Sequence, residues 1–171
     1  HVLTKMIGNG LRPSIWKEFK ERFGIDKVAE LYASSEGNIG FSNFFNRDNT
    51  VGFSTAPYKL VKYHEGTRDP IRNDKGRLEE VEKGQPGLLI GEINKKWAFE
   101  GYTQKEATEK SILRDGFKKG DAWFNTGDVL KEIGCRHLQF VDRMGDTFRW
   151  KGENVSTTEV ENIIDGSGMV E

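Results

Sequence analysis

Three short stretches gather side chains with chemical capability. The first is Tyr32-Ala33-Ser34-Ser35-Glu36-Gly37. An aromatic ring can stack on a base, and hydroxyls and backbone N–H groups can hold a phosphate. A carboxylate can take a hard cation such as Mg²⁺ beside that phosphate. The same residues also make an ordinary polar turn after a strand. The second is Trp123-Phe124-Asn125-Thr126-Gly127-Asp128. An Asp just after a tight Gly turn can accept hydrogen bonds from both hydroxyls of a ribose, but an Asx-type turn leading into a strand fits equally well. The third runs from Asp142 to Gly152 and alternates the basic Arg143, Arg149 and Lys151 with Phe148 and Trp150. It suits either a twisted strand with one charged and one aromatic face, or a Gly-Asp joint followed by a nucleotide-facing strand and loop.

These stretches need a scaffold, and the flanking sequence describes one. Residues 3–7 read as a short buried strand, followed by the turn Gly8-Asn9-Gly10. Pro13 suits the first turn of a helix, where its missing N–H costs nothing. Ile15, Trp16, Phe19 and Phe23 share one helical face, and Gly24 closes the helix as a C-cap. Residues 27–32 form a second strand. Strand, helix, strand implies a parallel sheet with a right-handed crossover. Ligands of such sheets sit at the carboxyl ends of the strands, where both the 8–10 turn and the 33–37 loop fall.

From about residue 52 the texture changes. Residues 58–63 alternate in part, glycines at 76 and 84–87 mark turns, and residues 87–93 make a strand. This predicts a small antiparallel sheet or barrel. Residues 103–113 have helical spacing, with Thr103 as cap and Glu106 three positions on. Residues 129–133 and 138–141 suggest a hairpin about Gly134. Ser156 with Glu159 makes a further capping box, opening a helix through Val160, Ile163 and Ile164. The fold class is therefore mixed α/β. Residues 1–50 are the end of a parallel α/β subdomain and 51–143 a small β-rich, barrel-like one. Residues 144–171 are a hinge and the start of a mobile α+β domain.

The 171 residues fit one or two domains, and four Trp and eleven Phe supply a core. A net charge of −1 gives no global attraction to nucleic acid or to an acidic membrane face. Lys95-Lys96 and Lys118-Lys119 read as solvated loop tips. A single cysteine, Cys135, excludes a disulfide framework and fits a reducing compartment. The three histidines show no ligand spacing. No run of about 18 apolar residues predicts a membrane span, and no charged start followed by an apolar core marks a signal peptide.

The order and spacing of the three stretches resemble the adenylate-forming superfamily of acyl-CoA synthetases, luciferases and peptide-synthetase adenylation domains. That family carries Tyr-Gly-x-Thr-Glu, then Tyr-x-Thr-Gly-Asp, then Gly-Arg-x-x-Asp-x-x-Lys-x-x-Gly leading to a Pro-x-Glu-x-Glu helix start. Here they read YASSE, FNTGD and DRMGDTFRWKG followed by TTEVE. The departures are Ala33 for Gly, Ser35 for Thr, Phe124 for Tyr, Asp142 for Gly, Arg149 for Lys and Thr158 for Pro. RWKGENVSTTEVE resembles the very-long-chain acyl-CoA synthetase and fatty acid transport branch, and the likeness runs from Met6 to Glu161.

The resemblance implies roles for individual residues. Gly8, Asn9 and Gly10 would border the adenine, and Tyr32 would stack on it, beside Ala33 and Ser34. Ser35 would contact the α-phosphate and Glu36 would hold Mg²⁺, the two taken as catalytic. Asp128 would bind the ribose hydroxyls and Arg143 would reach the same sugar. Gly145 and Asp146 would form the hinge, and a hinge at Gly absorbs backbone change at little steric cost. Lys151 and Gly152 would approach the pantetheine channel, with Asn154 closing that loop.

The implied reaction joins a fatty carboxylate to ATP, giving acyl-AMP and pyrophosphate, after which coenzyme A displaces AMP. ATP, AMP, Mg²⁺, CoA and a fatty acid are the implied ligands, with no nucleic acid. The implied location is cytoplasmic or peripheral on the cytoplasmic face of a membrane. Both ends resemble cuts through a larger protein. Neither the Gly-rich phosphate loop ending in Lys nor the family's late catalytic Lys is present, so the chain alone is expected to be inactive. Exposed apolar residues are then expected where packing neighbours are missing. Residues 38–45 could form part of an acyl wall, although Phe41, Phe44 and Phe45 fit plain core as well. A ligase for a bile or aryl acid, and a non-catalytic lipid-handling role in fatty acid uptake, remain open.

Overall fold

A computed structural model of the chain describes residues 3–33, 37–65, 67, 69–143, 147–150 and 153–167. Its first unit is the expected strand–helix–strand. Strand β1 (Lys5–Gly8) runs parallel to β2 (Lys27–Ala33), with Met6 opposite Val28 and Gly8 opposite Glu30. Helix α1 (Trp16–Phe23) connects them and ends on Gly24, whose φ of 64° is the left-handed conformation a C-cap needs. The helix starts later than Pro13 suggested. Pro13 sits in the preceding turn, where its carbonyl accepts from the Trp16 N–H at 3.4 Å. Of the apolar face, Trp16 is buried with Ile25 and Val28, whereas Phe23 is 57% exposed. A short strand β3 (Gly40–Ser42) pairs antiparallel with β2 and completes a three-stranded sheet.

The second unit is antiparallel and open. It comprises β4 (Tyr58–Val61), β5 (Gly87–Glu92), helix α2 (Lys105–Ser111), β6 (Ile112–Arg114), β7 (Ala122–Glu132) and β8 (Leu138–Arg143). The strand order is β4-β5-β7-β6, with β8 also on β7, so the described strands form a sheet and do not close into a barrel. Two expectations change here. Thr103 does not cap α2: the N-cap is Gln104, without a side-chain bond. The helix also stops at Ser111, because Ile112 and Leu113 pair with Phe124 and Trp123 of β7. The hairpin about Gly134 is present, but its first strand begins at Ala122. The Trp123–Asp128 stretch therefore lies inside a long strand, not in a turn before one.

Beyond these, β9 (Thr147–Trp150) and β10 (Glu153–Ser156) pair antiparallel, and α3 (Thr157–Gly166) follows directly after Ser156. The side chains of Ser156 and Glu159 lie outside the described residues. One apolar cluster, with Tyr32, Phe41, Val51, Leu89, Leu130 and Leu138, joins the parallel sheet to the antiparallel one. On the other side of β5, Leu88 and Ile90 pack with Val61, Leu78 and Trp123. Each fully buried side chain of this size contributes about 1.5–3 kcal/mol, so β5, apolar on both faces, is the centre of the molecule. The aromatic trio divides: Phe41 is core, while Phe44 and Phe45 are exposed. Lys95, Lys96, Lys118 and Lys119 are exposed, as expected of loop tips.

Candidate functional site

The two units meet around a cavity of about 720 Å³. Its geometry begins with the pleat of β2, which turns Val28, Glu30 and Tyr32 inward on alternate residues. Glu30 is fully buried. Its Oε1 accepts the Gly10 N–H, and the Leu11 N–H at 3.0 Å, so one carboxylate oxygen fixes the turn after β1. Among the described residues the other oxygen, Oε2, has no hydrogen-bond partner.

Across the cavity, β7 presents Asp128 by an irregularity of register. Leu88 faces Val129 and Ile90 faces Asn125, so three β7 residues oppose Leu89 alone. Such a bulge re-aims a side chain. Side chains stabilise it: Asn125 Oδ1 accepts the Gly127 N–H at 3.0 Å, and Thr126 Oγ1 accepts the Asp128 N–H at 3.1 Å while donating to the Leu89 carbonyl at 2.9 Å. Gly127 has φ 76°, which Gly adopts without a Cβ clash. The Asx-type turn and the cavity-lining Asp are thus one structure.

Asp128 Oδ2 accepts the Tyr32 hydroxyl at 2.5 Å, and Arg143 Nε stands 3.5 Å from Asp128 Oδ1. Burial pushes the Tyr32 phenol far above its ordinary value, and the charge and hydrogen bond of Asp128 add to that. The phenol therefore stays protonated as a donor. The cluster offers a carboxylate held by one neutral donor and one cation, able to accept ligand hydroxyls, beside a turn of exposed backbone.

Asn9, Gly10, Tyr32, Ala33, Asp128 and Arg143 line this cavity together. Gly8 adjoins it, since a Cβ there would stand 3.5 Å from Glu30 Oε2. Ser34, Ser35, Glu36, Gly145, Asp146, Lys151 and Gly152 lie outside the described residues. Sequence reasoning missed Glu30, Lys131 and Arg12, and named Thr126 and Glu161 within its motifs without giving them a site role; all five reach the cavity. Among the described residues no group of three His, Cys, Asp or Glu side chains could hold a metal ion, and no helix is long and apolar enough to cross a membrane.

No protein-family model matches the chain. It is 50% identical, over all of its 171 residues, to the medium/long-chain-fatty-acid–CoA ligase FadD6 of Mycobacterium tuberculosis, covering 29% of that protein. It is 46% identical over 96% of its length to long-chain fatty acid transport protein 6 of Homo sapiens, covering 28% of it. Among solved structures, O-succinylbenzoate coenzyme A synthetase of Bacillus subtilis, in complex with ATP and magnesium ion, matches 98% of the chain with a TM-score of 0.60 and 19% identity, covering 32% of that chain. The chain spans less than a third of the length of these proteins. It is a homologue of the fatty-acid–CoA ligases and long-chain fatty acid transport proteins, and carries part of the adenylate-forming ligase fold.

Proposed function

We propose that the cavity is the adenosine-binding part of an AMP-forming fatty acyl-CoA ligase. The observation that carries this is the buried Asp128, raised on its bulge between Tyr32 and Arg143 and facing the turn that Glu30 holds. Two vicinal hydroxyls suit a carboxylate, whose two oxygens together offer about four acceptor sites. Asn9 and Gly10, with Gly8 behind them, provide a flat backbone wall for a base. Ala33 continues the wall beyond Tyr32, and Ser34 is assigned to the same nucleotide-binding stretch on the sequence pattern alone.

The wider assignments accompany this reading. Ser35 contacts the α-phosphate and Glu36 takes Mg²⁺. Bound Mg²⁺ would neutralise phosphate charge. Lys151 and Gly152 serve the thioester step with CoA, and Gly145 and Asp146 form the joint. Residues 1–50, 51–143 and 144–171 are then the end of the large subdomain, the β-rich subdomain and the start of the mobile domain. A fatty acid of medium or long chain is the carboxylate, in line with the FadD6 relative, and the protein works in the cytoplasm or on its membrane face. A second role in lipid uptake draws support from the human relative's description as a transport protein.

The test is Asp128→Ala in a complete ligase carrying this segment. Thioester formation from ATP, fatty acid and CoA is expected to vanish, and AMP affinity to fall at least about tenfold through the lost charged hydrogen bonds. Unchanged AMP affinity would sink the ribose assignment. Fatty acid uptake that persists without thioester formation would favour the transport reading.

A further inference from the structure

Arg12 and Glu161 are 149 positions apart, yet Arg12 Nη2 donates to Glu161 Oε2 at 2.6 Å. Both line the cavity. Arg12 comes directly after Gly10 and Leu11, whose N–H groups are fixed on buried Glu30, so its backbone is anchored to β2. Glu161 lies on α3, which follows the β9–β10 pair, and among the described strands those two pair only with each other. The ion pair therefore ties α3 to a point on the cavity rim whose backbone is fastened to β2.

We propose that Arg12 and Glu161 form a charge latch that fastens α3 beside the mouth of the cavity. The side chains are 36% and 53% exposed, so water and salt screen them. Exposed pairs of this kind shift an equilibrium by roughly 1.5- to 5-fold. A fastening of that size is weak enough to open and close reversibly. The latch itself needs no ligand. Its effect on ligand exchange rests on the nucleotide reading of the cavity.

The experiment is amide hydrogen exchange across residues 157–167 in the 171-residue chain, for the wild type, Arg12→Glu, Glu161→Arg and the double swap. At low salt each single variant is expected to exchange about 1.5- to 5-fold faster in α3. The double swap should return to near the wild-type rate, and high salt should erase the difference between wild type and single variants. Protection in β5 reports that every variant is folded. Singles that match the wild type, or a double swap no slower than the singles, would overturn the latch. With AMP present the wild type should exchange more slowly in α3 than it does alone. If AMP binds to none of the four proteins, the nucleotide reading falls, while the ligand-free rates still decide the latch.

Discussion

Tyr32 must serve as core and as donor at once. Its ring packs edge-on to Phe41 at 5.8 Å, and its hydroxyl donates to Asp128. Burial first, then the Asp128 charge, raises its pKa above the ordinary value of 10.0. The neutral form is favoured in the folded state, so the stabilisation is complete below pH 10 and is lost as pH rises beyond it. Tyr32→Phe keeps the ring and removes the donor. It is expected to cost about 1–3 kcal/mol near neutral pH, because a buried acceptor loses a partner. That difference should shrink above pH 10, because the unfolded wild type ionises its phenol while the folded one still holds the proton. Urea denaturation across this range checks it, and a difference independent of pH would refute the account. The sequence already pointed to Tyr32, Asp128 and Arg143, through residue types in a known order. It did not point to Glu30, although the signal was there: Val28, Glu30 and Tyr32 alternate, so a charge occupies an inward position. A charge at such a position needs partners, and these are backbone N–H groups that no side-chain pattern reveals.

At the scale of elements, periodicity located the three helices and most of the longer strands, did not locate β3 or β10, and failed where pairing overrides local preference. Residues 112–113 continue the helical spacing of α2, yet β7 offers them a ladder. The bulge at Asp128 depends on which residues of β5 oppose it, a fact of register that one strand's sequence does not contain. Glycines show the same limit. Gly10 and Gly52 both have φ near +100°, but a Cβ on Gly10 meets nothing within 4 Å, whereas one on Gly52 would lie 2.0 Å from the Ser42 carbonyl. Gly52 is where the chain bridges Leu138 beside β3. Gly10→Ala should therefore cost only backbone strain, about 1 kcal/mol. Gly52→Ala adds a clash with backbone and should cost roughly 2–5 kcal/mol. Comparing urea midpoints separates the two, and equal losses would show that the close approach does not matter.

Across the whole molecule, the β1–β2 pair is covered on the side of Val28 and Tyr32, while Ile7 is 74% exposed on the other. Parallel strands are ordinarily covered on both faces. Phe44 and Phe45 are largely exposed as well, although the Phe45 ring still meets Phe53 at 5.4 Å. The charges of the cavity carry a related consequence. Among the described residues, Arg12, Lys131 and Arg143 face Glu30, Asp128 and Glu161, three positive against three negative. The described part of the site therefore has hydroxyl and backbone groups for a nucleoside but no excess charge for a triphosphate. The chain also contains no Ser/Thr/Gly-rich loop ending in Lys that would supply one. Phosphoryl chemistry depends on that neutralisation and on positioning. Adenosine, AMP and ATP are therefore expected to bind the 171-residue chain with affinities within about tenfold of one another. No pyrophosphate should appear when ATP and a long-chain acid are added. Calorimetric titration with the three ligands and a pyrophosphate assay test both points. Binding of ATP far tighter than that of adenosine would mean that a phosphate site exists within this chain, and pyrophosphate release would mean that the first half-reaction needs nothing beyond it.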